Sequence, residues 1–500
     1  MEGHRGHVET SAVLKRIDKA IKFYEERLKK SPESAVDHYA LGLARTYLSP
    51  PDLDGAEKEI GIALELNAQQ VFFHQTLGWV YEQKERQAKG EGFLERTLHE
   101  YQIALALNDE RSDPENEANL FLNLGNGHYL LNNFFTAYYY YKEREQTGRP
   151  FFDADRESIF RQRYAESAFK SGFPVKAVKQ FKKALKMVEG KKDLKRMAEL
   201  NDRIALAWQD HGDYAQAVDF FSRTLELHRQ TGNRVSLART LRNIANNLYD
   251  LGRESGDGVA VMNRALGNYF QAIENLEKFG VVKKEKEKTA LIEIDIEAGL
   301  GKDASAAAYG FDREGEQKLI FHYIGKIYGD FGEYGRAVEY FKKKLAFIPE
   351  NLDPEKNIPV LLGKALLLNQ IGNYLYRSGK YRESIGYFRK SHDLSRQLEN
   401  RHGTAVNAAN IGRAVITLCR IQPIGSLRQE IADAVALLES AQPDNEPSPA
   451  SSLYPVLIKN FLGIFYHYLA FHLPAEEPPA ESKKAQAETV LVQALDNLKQ

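Results

Sequence analysis

The sequence predicts an all-α fold, an array of antiparallel helix pairs rather than one globular core. Three observations point there. First, the stretch Ala198–Gly252 holds one complete pair and the start of the next. A helix-length run ends at the turn Gly212-Asp213-Tyr214, and a second helix carries Ala217, Phe221 and Leu225. After the polar break Gln230–Asn233 a new helix starts that is similar to the first. Second, Ala205 and Ala245 occupy equivalent places 40 residues apart, and a period of 20–50 residues marks a repeat array. Third, Tyr and Phe number 26 each against 2 Trp, which suits a recurring aromatic packing wedge between helices.

The elements follow in order. Residues 1–9 are polar and read as loose. A helix is expected from about Thr10 to Lys30, with Ala20, Tyr24 four later, and Pro32 as the stop. The next pair is built around Tyr39-Ala-Leu-Gly42 and around Ala56, Ile60 and Ala63. Ser49-Pro50-Pro51 separates its helices, because proline cannot continue a helix. A third unit has His74-x-x-Leu77-Gly78-x-x-Tyr81, then Tyr101 and Ala104. A fourth has Phe121-x-x-Leu124-Gly125-x-x-His128, turns at Asn132-Asn133 and returns with Ala137 and Tyr141. The run Tyr138–Tyr141 reads as packing with one solvent edge. Two compact units follow, one with Ala165, Gly172, Ala177 and Phe181, the other with Ala205, Gly212, Ala217 and Phe221. The next runs from Arg239 through Ala245 to Gly252, is interrupted by RESGDGVAVMN, and resumes with Ala265, Tyr269 and Ala272.

Residues 281–316 break the pattern. VVKKEKEK reads as a solvated helix end, LIEIDIEAG alternates like a short strand, and DASAAAYGFDREG is loop-like. The span fits either a functional loop, which is favoured, or a degenerate repeat. The array then resumes with Phe321-x-x-Ile324-Gly325-x-x-Tyr328, Ala337 and Phe341, and continues with Ile371-Gly372, Gly379-Lys380-Tyr381, Ser384 and Phe388. Ile411-Gly412 pairs with a helix from about Ser426 to Ser440. AQPDNEPSPASS reads as a connection, and a last unit has Leu462-Gly463-x-x-Tyr466 with a second helix at Ala487–Ala494. The expected organisation is therefore an array over 10–280, an irregular insert over 281–316 and an array over 317–500, joined in one solenoid. Nothing polar follows as a cap, so the sequence leaves room for a longer native chain.

Charge narrows the function. Lys+Arg is 68 and Asp+Glu 69, so the basic excess that nucleic-acid binding draws on is missing, although a local basic face is not excluded. The single cysteine, Cys419, sits in the apolar run AVITLCRI and reads as a small buried hydrophobe. No apolar signal core opens the chain and no run of about 18 apolar residues occurs. The expectation is a cytoplasmic protein without a membrane contact.

These units resemble tetratricopeptide repeats over nearly all of residues 10–500. That family's signature is aromatic-x-x-Leu-Gly-x-x-Tyr followed by Ala-x-x-x-Phe in a 34-residue unit. The small residue at Gly42, Gly78, Gly125, Ala165, Ala205, Ala245, Gly325, Gly372, Gly412 and Gly463 would let two helices approach closely. The step of about 40 resembles the long-repeat subclass of kinesin light chains, spindle-orientation adaptors and some bacterial sensors. The resemblance implies a right-handed superhelix whose inner face, lined by first helices, binds extended peptides.

Residues around the small position would then face that groove. They are Asn123, Asn126, Asn243, Asn246, Asn373 and Asn410, interleaved with Arg163, Arg203, Arg239, Arg242, Lys326 and Arg413. A primary amide offers donor and acceptor to a peptide main chain, and guanidinium groups pair with carboxylates. The expected ligand is a protein or peptide segment that is extended and partly acidic. The same residues could instead tie neighbouring repeats together, or stand solvated.

The sequence carries no recognisable catalytic or cofactor motif. Gly299–Asp303 lacks the earlier glycine and the Ser/Thr of a phosphate loop. His4 and His7 have metal-like spacing in a polar tail, and His467 and His472 are five apart, off one helix face. The reading is a scaffold or adaptor, not an enzyme, with no cofactor or metal. The alternative is a regulatory or ligand-sensing array of a larger effector, such as a protease, transferase or transcription regulator.

Overall fold

The computed structural model describes residues 2–87, 92–109, 113–151, 153–255, 257–286, 312–441 and 454–471, all but the turns between elements being helical. It divides into two compact units, Met1–Gly232 and Asn233–Gln500. The division falls at Gly232, within the stretch that the sequence groups as 10–280.

The first unit opens with a single helix, α1 (Glu2–Lys30). Five pairs follow: α2 (Ala35–Thr46) with α3 (Leu53–Leu66), α4 (Val71–Gln87) with α5 (Phe93–Asp109), α6 (Pro114–Leu130) with α7 (Phe134–Gln146), α8 (Ala154–Lys170) with α9 (Pro174–Glu189), and α10 (Leu194–His211) with α11 (Tyr214–Thr231). The second unit pairs α12 (Arg234–Glu254) with α13 (Gly258–Lys286), α14 (Arg313–Asp330) with α15 (Tyr334–Leu345), α16 (Ile358–Arg377) with α17 (Tyr381–Gln397), and α18 (Arg401–Ile421) with α19 (Arg428–Ser440), the last through a 3₁₀ turn at Ile424–Leu427. It ends with α20 (Tyr454–Phe471). Each unit is an all-α solenoid of stacked helix pairs.

Local chemistry sets the helix ends. At the α10–α11 turn Gly212 has φ 85°, and the Asp213 amide reaches back to the Trp208 carbonyl at 3.0 Å. That is a left-handed helix stop, which glycine adopts without a Cβ penalty. Asn132 takes the same place between α6 and α7 with φ 59°. The Asp213 carboxylate then accepts the Gln216 amide at 3.0 Å and caps α11, a contribution of about 1 kcal/mol. Asp52, Asp113, Asp153, Asp193, Asn233, Asp312 and Asn400 cap other helices in the same way.

The predicted wedge is the core of each pair. Tyr101, Tyr141, Phe181, Phe221, Tyr269, Phe341 and Phe388, four residues after a small residue in the second helix, are buried. Opposite them stand the predicted small positions. A Cβ on Gly78 would lie 2.7 Å from Tyr101, on Gly125 2.6 Å from Tyr141, on Gly325 2.8 Å from Phe341 and on Gly372 2.6 Å from Phe388. Ala165, Ala205 and Ala245 hold the position with no exposed surface. Where the second helix offers no aromatic, the filler changes: Ile60 faces Gly42, while Leu438 and Phe461 share Gly412. The Tyr138–Tyr141 run divides as read, with Tyr138 and Tyr141 buried and Tyr139 exposed.

The structure differs from the sequence reading at three places. Helix α1 begins at Glu2 rather than near Thr10, since nothing in 2–10 is a proline that would stop it. The interruption after Gly252 shrinks to the short link between Glu254 and Gly258. Gly252 and Gly258 allow this, because a Cβ on Gly258 would collide with the Gly252 carbonyl. The insert is narrower at its C-terminal edge, where Asp312 accepts the Gly315 amide at 2.8 Å to cap the start of α14, while residues 281–286 continue α13, as the reading of VVKKEKEK as a helix end expects. The expected strand at 291–299, the Pro/Ser-rich connection at 442–452 and the helix at 487–494 lie outside the described residues.

Candidate peptide-binding face

The twelve candidate residues all sit on first helices of pairs: α6, α8 and α10 in the first unit, α12, α14, α16 and α18 in the second. Within one helix, those three or four apart, such as Asn123 and Asn126 or Arg239, Arg242 and Asn246, are neighbours. Successive first helices touch through side chains one repeat apart, as Tyr39 on α2 and Thr76 on α4 do at 3.1 Å.

In the first unit these contacts form a ladder. Arg163 donates to the Asn126 amide oxygen at 2.8 Å, and the Tyr141 hydroxyl donates to the same oxygen at 2.9 Å. Arg163 also lies 5.4 Å from the Tyr129 ring. One turn along, the Tyr129 hydroxyl donates to Glu166, and Arg203 forms an ion pair with the same carboxylate. Burial, then the bond to Glu166, pushes the Tyr129 hydroxyl up to about 12. Asn126–Arg163 and Tyr129–Glu166 each join positions 37 residues apart.

The second unit repeats the device. Arg413 donates to the Asn373 oxygen at 2.9 Å and stacks 4.3 Å from the Tyr376 ring, while Asn373 donates to Asn369 and Asn369 donates to Asn407. Asn246 accepts the Tyr269 hydroxyl at 2.5 Å. Arg242 donates to Glu316 at 2.6 Å, with Arg239 at 3.7 Å from the same carboxylate. Lys326 lies over the Tyr249 and Tyr323 rings at 4.9 and 5.4 Å. Beside it, burial raises the Asp250 carboxyl above its usual range, with Lys326 and Arg253 opposing.

The twelve thus fall into two groups. Asn126, Arg163, Arg242, Asn246, Asn373 and Arg413 spend their polar atoms on neighbouring helices. Lys326 is held over two rings. The side-chain amides of Asn123, Asn243 and Asn410 are half-buried and have no hydrogen bond among the described residues. Arg203 and Arg239 are about half-exposed, each beside a carboxylate, Glu166 or Glu316.

Sequence reasoning missed the carboxylates. Glu166 is the shared partner of Tyr129 and Arg203, and Glu316 was grouped with the insert. The signal was available for the first, because Tyr129, Glu166 and Arg203 step by 37. It also missed His38 and His74, 36 residues apart. Each ring sets Nδ1 2.7 Å from a carboxylate, Glu59 or Glu100, and Nε2 3.0 Å from a backbone carbonyl.

Of the histidines named for their spacing, His472 lies outside the described residues. Among the described residues no group of three His, Cys, Asp or Glu side chains could hold a metal ion, and no helix is long and apolar enough to cross a membrane. Cys419 is buried, and burial pushes its thiol up to about 11.

No family model and no curated protein matches the sequence. Solved structures similar to it include three repeat proteins. The C-terminal part of a TPR repeat-containing protein from Cytophaga hutchinsonii is 18% identical at TM-score 0.34, over 54% of this chain and 98% of its own. A kinesin light chain of Podospora anserina with nearly identical TPR-like repeats is 14% identical at TM-score 0.33, over 49% and 98%. YrrB, a TPR protein described as having an unusual peptide-binding site, is 16% identical at TM-score 0.30, over 44% and 98%. The small residue, the aromatic set against it and the left-handed turn recur from pair to pair, and together they make this chain an all-α array of repeated helix pairs, a pattern similar to that of tetratricopeptide repeats.

Proposed function

We propose that the chain is a protein-interaction scaffold whose first-helix faces take an extended, partly acidic peptide. The observation that carries this reading is the set of uncommitted amides. Asn123, Asn243 and Asn410 keep donor and acceptor free at half-buried positions. Such amides can exchange their solvent hydrogen bonds for those of a peptide main chain. Arg203 and Arg239 supply half-exposed cations for its carboxylates. Each unit offers its own face.

The test is binding of a labelled peptide of alternating glutamate and serine, followed by fluorescence anisotropy. Asn123→Ala/Asn243→Ala/Asn410→Ala is expected to weaken binding at least fivefold with helicity unchanged, each lost hydrogen bond being worth about 1 kcal/mol. Unchanged affinity overturns the reading. Arg242→Ala is the wrong probe, since it removes the Glu316 tie and acts on the fold.

A further inference from the structure

The outer faces of α7 and α9 form a second surface, separate from the first-helix face. Residues 174–196 carry eight lysines and one arginine against Glu189 and Asp193, in a chain of net charge −1. On α9, Val175, Lys179, Lys182 and Lys186 are spaced four, three and four apart, so they form one stripe. All four are exposed, while Ala177, Phe181, Ala184 and Val188 pack inward. Two lysines of the segment are paired, Lys183 with Glu145 and Lys191 with Asp155. Lys176, Lys179, Lys182, Lys186, Lys192 and Lys195 have no ion pair among the described residues. Such a concentration of unneutralised lysine repels itself.

Helix α7 continues the surface. Glu145 accepts from Lys183 at 2.5 Å and from Gln180 at 2.8 Å, and the Tyr138 ring lies 4.9 Å from Phe173, which locks α7 beside α9. Forty residues before Val175, Lys179 and Lys182, α7 carries Phe135, Tyr139 and Lys142 at the matching positions. Phe135 is 67% exposed, Tyr139 52% and Val175 48%. One end of the surface is therefore apolar and the other cationic.

The surface is also bounded. In the following repeat the places of Lys179 and Lys186 are taken by Asp219 and Glu226, both about half-exposed and paired with Arg223 and Arg229 of their own helix. An anionic sheet or long polyanion laid across this face would pass from unpaired lysines onto ion pairs. At physiological salt, charge acts over roughly 8 Å, and with net charge −1 the whole chain offers a polyanion no long-range attraction. The stripe contains no arginine, so it reads clustered charge rather than forked hydrogen-bond geometry.

From this we infer that the α7–α9 face docks a short acidic segment of a partner protein, with an apolar anchor over Phe135, Tyr139 and Val175 and carboxylates against Lys179, Lys182 and Lys186.

The probe is a labelled 16-residue peptide of glutamate and leucine, titrated with the full chain. Lys179→Glu/Lys182→Glu/Lys186→Glu is expected to weaken binding at least tenfold, with the far-ultraviolet spectrum unchanged. The milder Lys→Gln triple follows in the same direction. Phe135→Ser is expected to weaken it about fivefold, and raising salt from about 50 to about 300 mM about tenfold. The Asn123/Asn243/Asn410 triple variant is measured alongside and is expected to leave this affinity within twofold, which separates this surface from the first-helix face. Peptide affinity within twofold of the parent for both lysine triples overturns the proposal. So does tighter lysine-dependent binding of phosphatidylserine vesicles or of a single-stranded oligonucleotide than of the peptide.

Discussion

Gly125→Ala tests the packing rule on which the whole array rests. In an ordinary helix interior this change is favourable by about 1 kcal/mol, because alanine loses less backbone freedom. Here the new methyl would sit 2.6 Å from Cε1 and 2.7 Å from Cδ1 of Tyr141. The ring cannot swing aside. It is fully buried, its centroid lies 5.6 Å from Phe160 and 6.1 Å from Tyr164, and its hydroxyl is tied to Asn126 at 2.9 Å. Overpacking of this kind costs about 1–3 kcal/mol, and the upper end applies where the neighbour cannot give. The net expectation is a destabilisation of about 1–2 kcal/mol. Gly61→Ala is the control, because a Cβ there meets nothing within 4 Å, and it is expected to stabilise by up to about 1 kcal/mol. Urea unfolding followed by circular dichroism reads both. If Gly125→Ala stabilises as much as Gly61→Ala, the close approach does not organise the pairs.

Three further outcomes are expected. Arg242→Ala leaves the Glu316 carboxylate short of its nearest cation in a largely buried site and is expected to cost about 2 kcal/mol, less than a fully buried pair because both side chains keep some exposure and Arg239 remains. Arg242→Met/Glu316→Leu should recover most of that loss by denaturation. Burial opposes the charged form of His74, yet the Glu100 bond, the Ala68 carbonyl and the Glu100 charge raise its pKa above the usual value. The stabilisation from His74 is therefore complete below the ordinary histidine pKa and is lost as pH rises through the raised one. Unfolding midpoints measured from pH 5.5 to 8.5 should lose part of their fall in His74→Gln. Finally, Cys419 is expected to resist maleimide at pH 7.5 in the native state and to react in urea, its thiol being pushed up to about 11 by burial. Mass spectrometry gives the labelled fraction.

The helix pairs were legible because their determinants are local. Gly125 and Tyr141, or Gly372 and Phe388, lie 16 residues apart, and each residue type states its packing role. The polar candidates were legible as first-helix residues but not as a set of contacts. Asn123 and Asn126 look alike in sequence, yet one is uncommitted and the other holds Arg163 and Tyr141. The difference depends on what the next repeat places opposite, and only packing reveals that. Glu316 shows the same limit, since its partner Arg242 is 74 residues away across an irregular stretch. The lysine stripe of α9 was readable in principle. A charge run by itself does not say whether counter-charges face it.

The ladder of first-helix contacts also sets how a ligand would exchange. A carboxylate arriving at Arg203 does not find an idle cation, because Glu166 already holds it and Glu166 in turn holds Tyr129. Arrival is thus a substitution of one ion pair for another, and the net gain is the small difference between them. A capture at Arg203 would leave Glu166 with the Tyr129 hydroxyl alone.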